Sequence, residues 1–433
     1  MMRKIREITS SAGSSYVVEA CGATRRVRVS CRCVSVNRAD VYVFYDDDMR
    51  ILYEPSLLLA EEMRWESDNT KLQAVSAMKI LYSFAGAMGM PPEEFDGPTC
   101  NAFLQFCRGT LGDGLSASFD LETTRSEATI GAYLKPVRRL MKYLGRSDSP
   151  FLDRRSVRGP RATGGDPAKE AFVLQAKPAP DLEAPAAITM SEYRTLLDVI
   201  GKRDGDPARP MVRLMFEHGL RIGEVLGLTL EDVAASASPD GEPRYSLKLR
   251  DRMSDGPDQH AKTVLKVRSA NQYGSSDYAK RGVGYQEVFV SESVFDDLSA
   301  YIEAAHADAC AEGCRADSVV GEGENRYVFL NTRGRRLSSN LWNKRLRTLF
   351  SEAGIPLDEG ARKTNLNHRF RHGYAMMLIH ELRLDDFAVM TLMRHRSVSS
   401  TEVYNKPTAE QVHAMQLSVM GPLEAALFGG DSL

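Results

Sequence analysis

The chain has 433 residues, of which 43% are hydrophobic and 26% are charged, and its formal net charge at pH 7 is −2. The composition is that of an ordinary globular protein. A membrane protein is excluded, because no apolar run approaches the ~20 residues that span a bilayer. The first residues lack the apolar core of a signal peptide. We therefore expect a cytoplasmic protein with two or three domains and no membrane partner.

The cysteines do not predict a disulfide framework, because the chain is long and their number, seven, is odd. Cys31 and Cys33 lie two apart in a predicted strand and would face the same way. His306, Cys310 and Cys314 would align on one helix face, but a closed zinc site needs a fourth ligand. We therefore predict a partly buried helix face there, and no metal.

The weak net charge hides a basic segment between residues 333 and 347, which contains no acidic residue. Its basic residues are Arg333, Arg335, Arg336, Lys344, Arg345 and Arg347. Phosphate contacts depend on local basic surface and not on total charge. The segment is compatible with DNA binding and also with a solvated helix face.

The predicted elements suggest four regions in chain order. Residues 1–54 alternate β-branched and polar residues over 15–45, which predicts a strand-rich N-terminal arm. Residues 55–147 place apolar residues at three- and four-residue spacing, which predicts a compact domain of about four helices. Residues 148–187 are dominated by proline, glycine and alanine, which is typical of a linker.

The last region, residues 188–433, begins with a helix that Thr189 or Ser191 would cap. A further helix, a turn at Gly219 and a helix starting near Arg221 follow. The segments "RYSLKLRDRM", "TVLKVRS" and "YQEVFVS" are strand candidates, and helices fill most of the remainder.

Three blocks of this last region, "HGLRIGEVLGLTLEDV", "NHRFRHGYAMMLI" and "LMRHRSVSSTEVYNKP", resemble the signature blocks of the tyrosine recombinases, the phage integrase family. The family pattern is Arg-x-x-Glu with a following Leu, then His-x-x-Arg-His, then Gly-His with a tyrosine nine residues later. The residues that match in order and at matching local spacing are Arg221, His368, Arg371, His372, His395 and Tyr404. One block alone would be weak evidence for the resemblance, whereas the three blocks in this order are specific to the family.

The resemblance covers about residues 188–420 and implies a multidomain, mainly α fold. Residues 188–433 would form the mixed α/β integrase-type catalytic domain, with a small antiparallel sheet and a C-terminal tail. Residues 55–147 more loosely resemble the family's helical core-site DNA-binding domain. The strand-rich arm would precede both.

The resemblance implies roles for the matching residues. Attack on a DNA phosphodiester builds negative charge on the non-bridging oxygens, which the guanidinium groups of Arg221 and Arg371 would stabilise. Tyr404 would be the nucleophile that forms a 3′-phosphotyrosyl link. A phenol has a pKa of about 10 and is a poor nucleophile without help. Tyr404 lies in a predicted loop or helix end, so we expect an accessible hydroxyl.

The remaining residues would assist the nucleophile. His368 would accept the phenolic proton, and His395 would hydrogen-bond the scissile phosphate. Glu224 would orient a basic side chain, and His372, beside Arg371, would be a supporting residue.

The family also uses a lysine, on a strand hairpin, to protonate the leaving 5′-oxygen. Lys262, Lys266 and Lys280 all qualify. We favour Lys262, because family members often have serine or threonine after this lysine and a loop rich in Asn, Gly and Asp shortly before it. "MSDGPDQHAKT" fits this description best.

Three features depart from the family pattern. Arg394 stands where a glycine is usual, and would add a phosphate contact or shift the loop. The segment between Arg221 and His368 is longer than usual, and the first 50 residues are not generic. Together these features resemble the transposon-encoded branch of the family, whose members often act beside sister recombinases.

We therefore predict a site-specific DNA recombinase or integrase that serves the integration or transposition of a mobile element, without a cofactor. Its partners would be double-stranded DNA, further copies of the chain in a tetramer on paired sites, and sister recombinases. Two alternatives stay open. One is an enzyme similar to type IB topoisomerases, and the other is a non-catalytic DNA-binding accessory protein of integrase fold.

Overall fold

The computed structural model describes residues 3–11, 13–36, 39–109, 117–157, 169–176, 185–201, 205–255, 259–261, 263–311, 325–357, 366–395, 397–406, 412–413, 415–418 and 420. The chain separates into two compact units, residues 1–180 and 181–433, and each has a hydrophobic core of its own. The division falls inside the predicted linker. The predicted domain boundaries within each unit stay predictions.

Two sheets of the N-terminal unit come mainly from its first 52 residues. Their strands are β1 (Arg3–Ser10), β2 (Gly13–Ala20), β3 (Ala23–Val27), β4 (Ser30–Val36), β5 (Ala39–Tyr45), β6 (Ile51–Leu52) and β7 (Ala117–Asp120). One sheet has the order β3-β2-β1-β7, in which only β7 is parallel to its neighbour, and the other is the antiparallel sheet β4-β5-β6. Alternation of side chains buries Ile5 while Lys4 and Arg6 face solvent.

The helices of this unit share one core with the strands. They are α1 (Tyr53–Leu57), α2 (Asp68–Met88), α3 (Gly97–Arg108) and α4 (Glu127–Tyr143), and a π-helical turn, Leu58–Glu62, follows α1. Ser67, Asp96 and Ser126 cap the last three helices by accepting a backbone N–H bond. Tyr16 of β2 packs on Phe106 of α3 with ring centroids 5.0 Å apart. The predicted linker contributes the antiparallel pair β8 (Arg154–Val157) and β9 (Lys169–Phe172).

The C-terminal unit combines helices with a small sheet. Its helices are α5 (Met190–Ile200), α6 (Ala208–Glu217), α7 (Ile222–Leu226), α8 (Glu292–Ala311), α9 (Ser339–Glu352), α10 (Leu366–Met376) and α11 (Asp386–Leu392). The antiparallel sheet consists of β10 (Val233–Ala237), β11 (Pro243–Arg250) and β12 (Tyr285–Val290), in that order. Thr189 caps α5 in a reciprocal capping box with Glu192. The predicted fold class is confirmed: the chain is mainly helical, with a small antiparallel sheet in its second unit and a strand-rich start.

One predicted strand is wrong. The segment "TVLKVRS", residues 263–269, forms no strand. The Thr263 hydroxyl donates to the Leu265 carbonyl at 2.7 Å, and the Leu265 N–H donates to the Val283 carbonyl at 2.8 Å. The segment is thus tied by single hydrogen bonds and not by a ladder, and β10 pairs with β11.

The close approach of α10 to its neighbours depends on a glycine. A Cβ at Gly373 would lie 2.4 Å from the Ile188 carbonyl oxygen and 2.7 Å from Cε2 of Phe216. The Ile188 N–H donates to the Arg369 carbonyl at 3.0 Å. Because no larger residue fits, Gly373 lets α10 pack against α6, and α10 carries the predicted His-x-x-Arg-His block.

Among the residues that the structure describes, no helix is both long enough and apolar enough to cross a bilayer.

Candidate active site

The buried carboxylate of Glu224 holds Arg221, the first of the two arginines predicted to bind phosphate. Arg221 immediately precedes α7, and its backbone N–H donates to Glu224 Oε2 at 2.8 Å. The Arg221 guanidinium donates to Glu224 Oε1 at 2.7 Å, and the Glu224 side chain is fully buried. Burial raises the pKa of Glu224, but the positive charges of Arg394, Arg221 and Arg371 outweigh it and lower that pKa to about 2. Glu224 is therefore ionised and holds the guanidinium of Arg221; from sequence it was expected to orient a basic side chain.

The turn before α7 connects Arg221 to Arg371, the second predicted arginine. The carbonyl of Gly219 accepts hydrogen bonds from the guanidinium groups of both Arg371 and Arg394. Gly219 has φ +59°, and a Cβ there would lie 2.4 Å from Cδ1 of Tyr374. Both the backbone conformation and the lack of space require glycine at this turn.

Arg371 of α10 is almost fully buried, and the carbonyl of Met393, at the end of α11, accepts its second hydrogen bond. Burial and the charge of Arg221 lower the pKa of Arg371 to about 9, although Glu224 opposes them. The guanidinium is still charged at pH 7. It therefore brings a desolvated positive charge to the same place as Arg221.

Tyr404 lies on a short 3₁₀ turn, Glu402–Asn405, and only 4% of its surface is exposed. The ring belongs to a small apolar cluster with Leu378, Val389 and Met393. Burial raises the pKa of the phenol, while the charges of Arg371 and Arg221 oppose that rise. The expectation of an accessible hydroxyl is wrong, because the turn packs the ring into this cluster.

His372 is the histidine that contacts the tyrosine. Its Nδ1 lies 3.0 Å from the Tyr404 hydroxyl. Burial, followed by the charges of His368, Arg371 and His395, lowers the pKa of His372 to about 4. Neutral at pH 7, the imidazole can accept the phenolic proton. Sequence reasoning gave His372 only a supporting role.

The other two histidines flank this pair. His368 is exposed and lies one turn earlier on α10, with its ring centroid 6.1 Å from that of His372. The His395 ring is parallel to that of Tyr404 at 6.2 Å, and its Nδ1 lies 3.1 Å from the hydroxyl of buried Thr401. Burial and then the charge of Arg371 lower the pKa of His395 to about 4.

The lysine assignment stays a prediction. Lys262 lies outside the described residues, and its neighbours Ala261 and Thr263 are buried. Lys266 and Lys280 are both exposed.

The basic segment is partly engaged within the protein. The guanidinium of Arg336 donates to the Ser254 carbonyl, and that of Arg345 donates to Asp206 at 3.1 Å. Lys344 and Arg347 of α9 are exposed. Both interpretations of this segment therefore remain open.

No group of three or more His, Cys, Asp or Glu residues is arranged to hold a metal within the part of the chain that the structure describes. His306 is half-buried on α8. The side chain of Cys310 and the whole of Cys314 fall outside that part.

Arg394 is the residue whose role sequence reasoning left open. Its guanidinium donates to Glu224 Oε2 at 2.8 Å and to the Gly219 carbonyl at 3.1 Å. The only sequence signal was its position, next to His395 and in place of a glycine. The carbonyls of Gly219 and Met393, which hold Arg371, carry no side-chain signal at all.

Part of this site lies in a segment that matches a known protein family. Residues 299–411 match the model of the Phage integrase family. This range contains His368, Arg371, His395 and Tyr404, whereas Arg221 precedes it.

Curated relatives are similar over about half of the chain. Tyrosine recombinase XerD of Mycobacterium leprae (strain TN) is 26% identical over 239 residues, which cover 54% of this chain and 60% of the relative. Tyrosine recombinase XerD of Mycobacterium tuberculosis (strain ATCC 25618 / H37Rv) is 27% identical over 247 residues, which cover 55% of this chain and 61% of the relative. The chain thus spans about 60% of the length of these relatives.

Solved structures of two recombinases are similar at low identity. The XerH site-specific recombinase bound to difH substrate, in a pre-cleavage complex, gives a TM-score of 0.47 at 16% identity, over 78% of this chain and 76% of that one. The Tn1549 transposon integrase in complex with transposon right end DNA gives a TM-score of 0.48 at 17% identity, over 84% of this chain and 98% of that one. Residues 299–411 thus match the Phage integrase family model, and about half of the chain is similar to tyrosine recombinases.

Proposed function

We propose that the chain is a site-specific DNA recombinase that cuts and rejoins DNA through a 3′-phosphotyrosyl intermediate. The observation that carries the proposal is the pair formed by the Tyr404 hydroxyl and His372 Nδ1, 3.0 Å apart. The charges of Arg371 and Arg221 act on the same phenol and oppose the effect of burial on its pKa. A nucleophile, a neutral base and two fixed cations thus meet in one place.

In the first step, the Tyr404 oxygen attacks the scissile phosphorus, and the bond from phosphorus to the 5′-oxygen breaks. His372 takes the phenolic proton, and a lysine, for which we propose Lys262, gives a proton to the leaving 5′-oxygen. Arg221 and Arg371 stabilise the charge on the non-bridging oxygens, and His395 donates to the phosphate. A 5′-hydroxyl of another strand then reverses these steps, so the bond energy is conserved.

The charge balance favours an anionic ligand. Arg221, Arg371 and Arg394 lie around one buried carboxylate, that of Glu224. A single carboxylate cannot neutralise three guanidinium groups. A DNA phosphodiester would supply further negative charge where it is lacking.

The relatives extend the proposal to partners. The DNA-bound state named for the similar solved structures suggests double-stranded DNA as the partner here. We further propose a tetramer on paired sites, the mobilisation of a genetic element and cooperation with sister recombinases. The reaction would take place in the cytoplasm.

Covalent trapping tests the proposal. A DNA site selected from a randomised duplex library with the full-length protein would be prepared as a nicked suicide duplex. Wild type should form a complex that survives denaturing electrophoresis, and Tyr404→Phe should form none while binding the duplex within a few-fold. Tyr245→Phe is the matched control, because its exposed hydroxyl contacts Glu292 outside the site. A normal yield from Tyr404→Phe would exclude Tyr404 as the nucleophile.

The same materials separate the alternatives. A topoisomerase-like enzyme would relax supercoiled plasmid that lacks the selected site, whereas a recombinase should require paired sites. An accessory protein would bind the duplex without any covalent complex.

A further inference from the structure

Arg394 has a backbone conformation that its side chain disfavours. Its φ is +54°, in the left-handed region that L residues rarely adopt. Glycine, which the family pattern has at this position, would adopt it freely. A backbone outlier of this kind persists only where surrounding contacts hold it, and the contacts of Arg394 lie next to a candidate active-site residue.

The Arg394 side chain joins two segments of the site. Its Nη2 donates to Glu224 Oε2 at 2.8 Å and to the Gly219 carbonyl at 3.1 Å, and both acceptors belong to the segment around Arg221. Its Nη1 lies 3.4 Å from the carbonyl of His218 and 3.3 Å from that of Leu392. The side chain is 10% exposed. The guanidinium thus connects the α6–α7 turn to the end of α11.

Arg394 shares its acceptors with the two arginines proposed to bind phosphate. Glu224 uses Oε1 for Arg221 and Oε2 for Arg394. The carbonyl of Gly219 accepts from both Arg371 and Arg394. Because the Nη donors of Arg394 point at protein acceptors, its geometry suits holding the site together more than touching DNA.

We propose that Arg394 is a positioning residue for strand cleavage. Through Glu224 it fixes the guanidinium of Arg221, and through Gly219 it fixes the segment that leads to His395 and Tyr404. The inference rests on the proposed function, since it concerns the same cleavage step.

The first test compares Arg394→Gly with wild type on the selected suicide duplex. Glycine tolerates the backbone conformation, so the variant removes the bridge without adding strain. Loss of hydrogen bonds to a charged group should slow covalent complex formation by about ten- to a hundredfold, with duplex binding within a few-fold. Arg383→Gly is the matched control, because Arg383 also has φ +54° and is exposed. It should cleave at the wild-type rate.

A double-variant cycle and a modified substrate identify the path of the effect. If Arg394 acts through Glu224, the rate of covalent complex formation in the Arg394→Gly/Glu224→Gln double variant should fall less than the product of the two single-variant effects. A methylphosphonate at the scissile position removes the phosphate charge and should partly relieve Arg221→Ala and, because Arg394 acts through Arg221, also Arg394→Gly. In an Arg221→Ala background, Arg394→Gly should add no defect that the methylphosphonate relieves. Arg394→Lys keeps the charge with fewer donors and should be intermediate, which keeps the test valid if the glycine variant folds poorly.

Several outcomes would overturn the inference. Wild-type rates in both Arg394 variants, or strictly multiplicative defects with Glu224→Gln, would refute a positioning role. An added defect of Arg394→Gly in the Arg221→Ala background, relieved by the methylphosphonate, would make Arg394 a direct phosphate ligand instead. Absence of a covalent complex with wild type would refute the proposed function itself, which distinguishes that failure from failure of the Arg394 inference alone.

Discussion

The hydrogen bond between Tyr404 and His372 predicts which histidine takes the phenolic proton. Loss of a positioned general base typically costs about 10²–10⁴-fold in rate. We expect His372→Ala to slow covalent complex formation by that order, and His368→Ala to slow it less. Single-turnover rates on the selected suicide duplex measure both. A larger defect in His368→Ala would return the role of base to His368.

The lowered pKa of His372 predicts the acid side of the pH–rate profile. A base must be neutral to accept a proton, so the rate falls as pH drops through its pKa. An unperturbed histidine, with a pKa of about 6.5, would lose about tenfold in rate by pH 5.5. Since the pKa of His372 is about 4, cleavage in a pH series from 7 to 5.5 should change less than twofold. A clear decline centred near pH 6.5 would contradict this assignment.

A sulfur-containing substrate tests the lysine. In a 5′-bridging phosphorothiolate the leaving group departs without protonation, so the general acid becomes dispensable. Lys262→Ala should therefore be slow on normal DNA and close to wild type on the sulfur substrate. Lys266→Ala and Lys280→Ala are assayed in parallel, because these two exposed lysines are the alternative candidates. Slow cleavage of normal DNA by one of these variants, with rescue on the sulfur substrate, would move the assignment to that lysine.

The sequence limited the choice of base but did not decide it. His368 and His372 are four residues apart, so both lie on the same face of α10. Which of them meets the tyrosine depends on where the 3₁₀ turn of Tyr404 packs, and this is a tertiary contact with no local signature. The burial of Tyr404 was missed for the same reason. Arg221 and Glu224 were predictable as a pair, because their i, i+3 spacing at a helix start favours contact.

At the level of elements, the turn between α6 and α7 depends on Gly219. A matched pair of alanine variants separates its two constraints. Gly241→Ala should lower the free energy of unfolding by about 1–2 kcal/mol. This is the strain of the left-handed backbone alone, because φ is +86° and nothing lies within 4 Å of an added Cβ. Gly219→Ala should cost clearly more free energy of unfolding, because the Cβ would also meet Tyr374. Equal losses in denaturant titrations would mean that the Tyr374 ring moves aside.

The start of α7 and the strands β11 and β12 were predictable, because caps and alternation act over a few residues. The strand candidate at 263–269 was wrong, and β10 was not predicted. "VAASA" has little apolar alternation, and β10 is a strand because β11 pairs with it, in register from Val233 opposite Leu247. Pairing between strands is non-local, so sequence periodicity could not choose between the two segments.

At the scale of the whole molecule, we propose that the C-terminal tail links the subunits of the proposed tetramer. Met415, Leu417 and Met420 are exposed apolar residues, while Leu423, Leu427 and Phe428 lie outside the described residues. A ring of four closes only if each subunit gives and receives the same element. Deleting residues 409–433 should leave single-site DNA binding intact and impair assembly on paired sites, as measured by light scattering of the DNA-bound protein.

A milder variant controls for the deletion. Replacing Met415 and Leu417 with serine keeps the chain length and should weaken paired-site assembly in the same direction. If the truncated protein assembles four subunits at wild-type concentrations, the tail does not link subunits.

The covalent link itself tests the central claim most directly. Wild-type protein would be trapped on the selected suicide duplex, digested with nuclease and protease, and analysed by tandem mass spectrometry. We predict a single modified peptide that carries a nucleotide on Tyr404 through its 3′-phosphate. Attachment to another side chain, or attachment through a 5′-phosphate, would contradict the proposed mechanism.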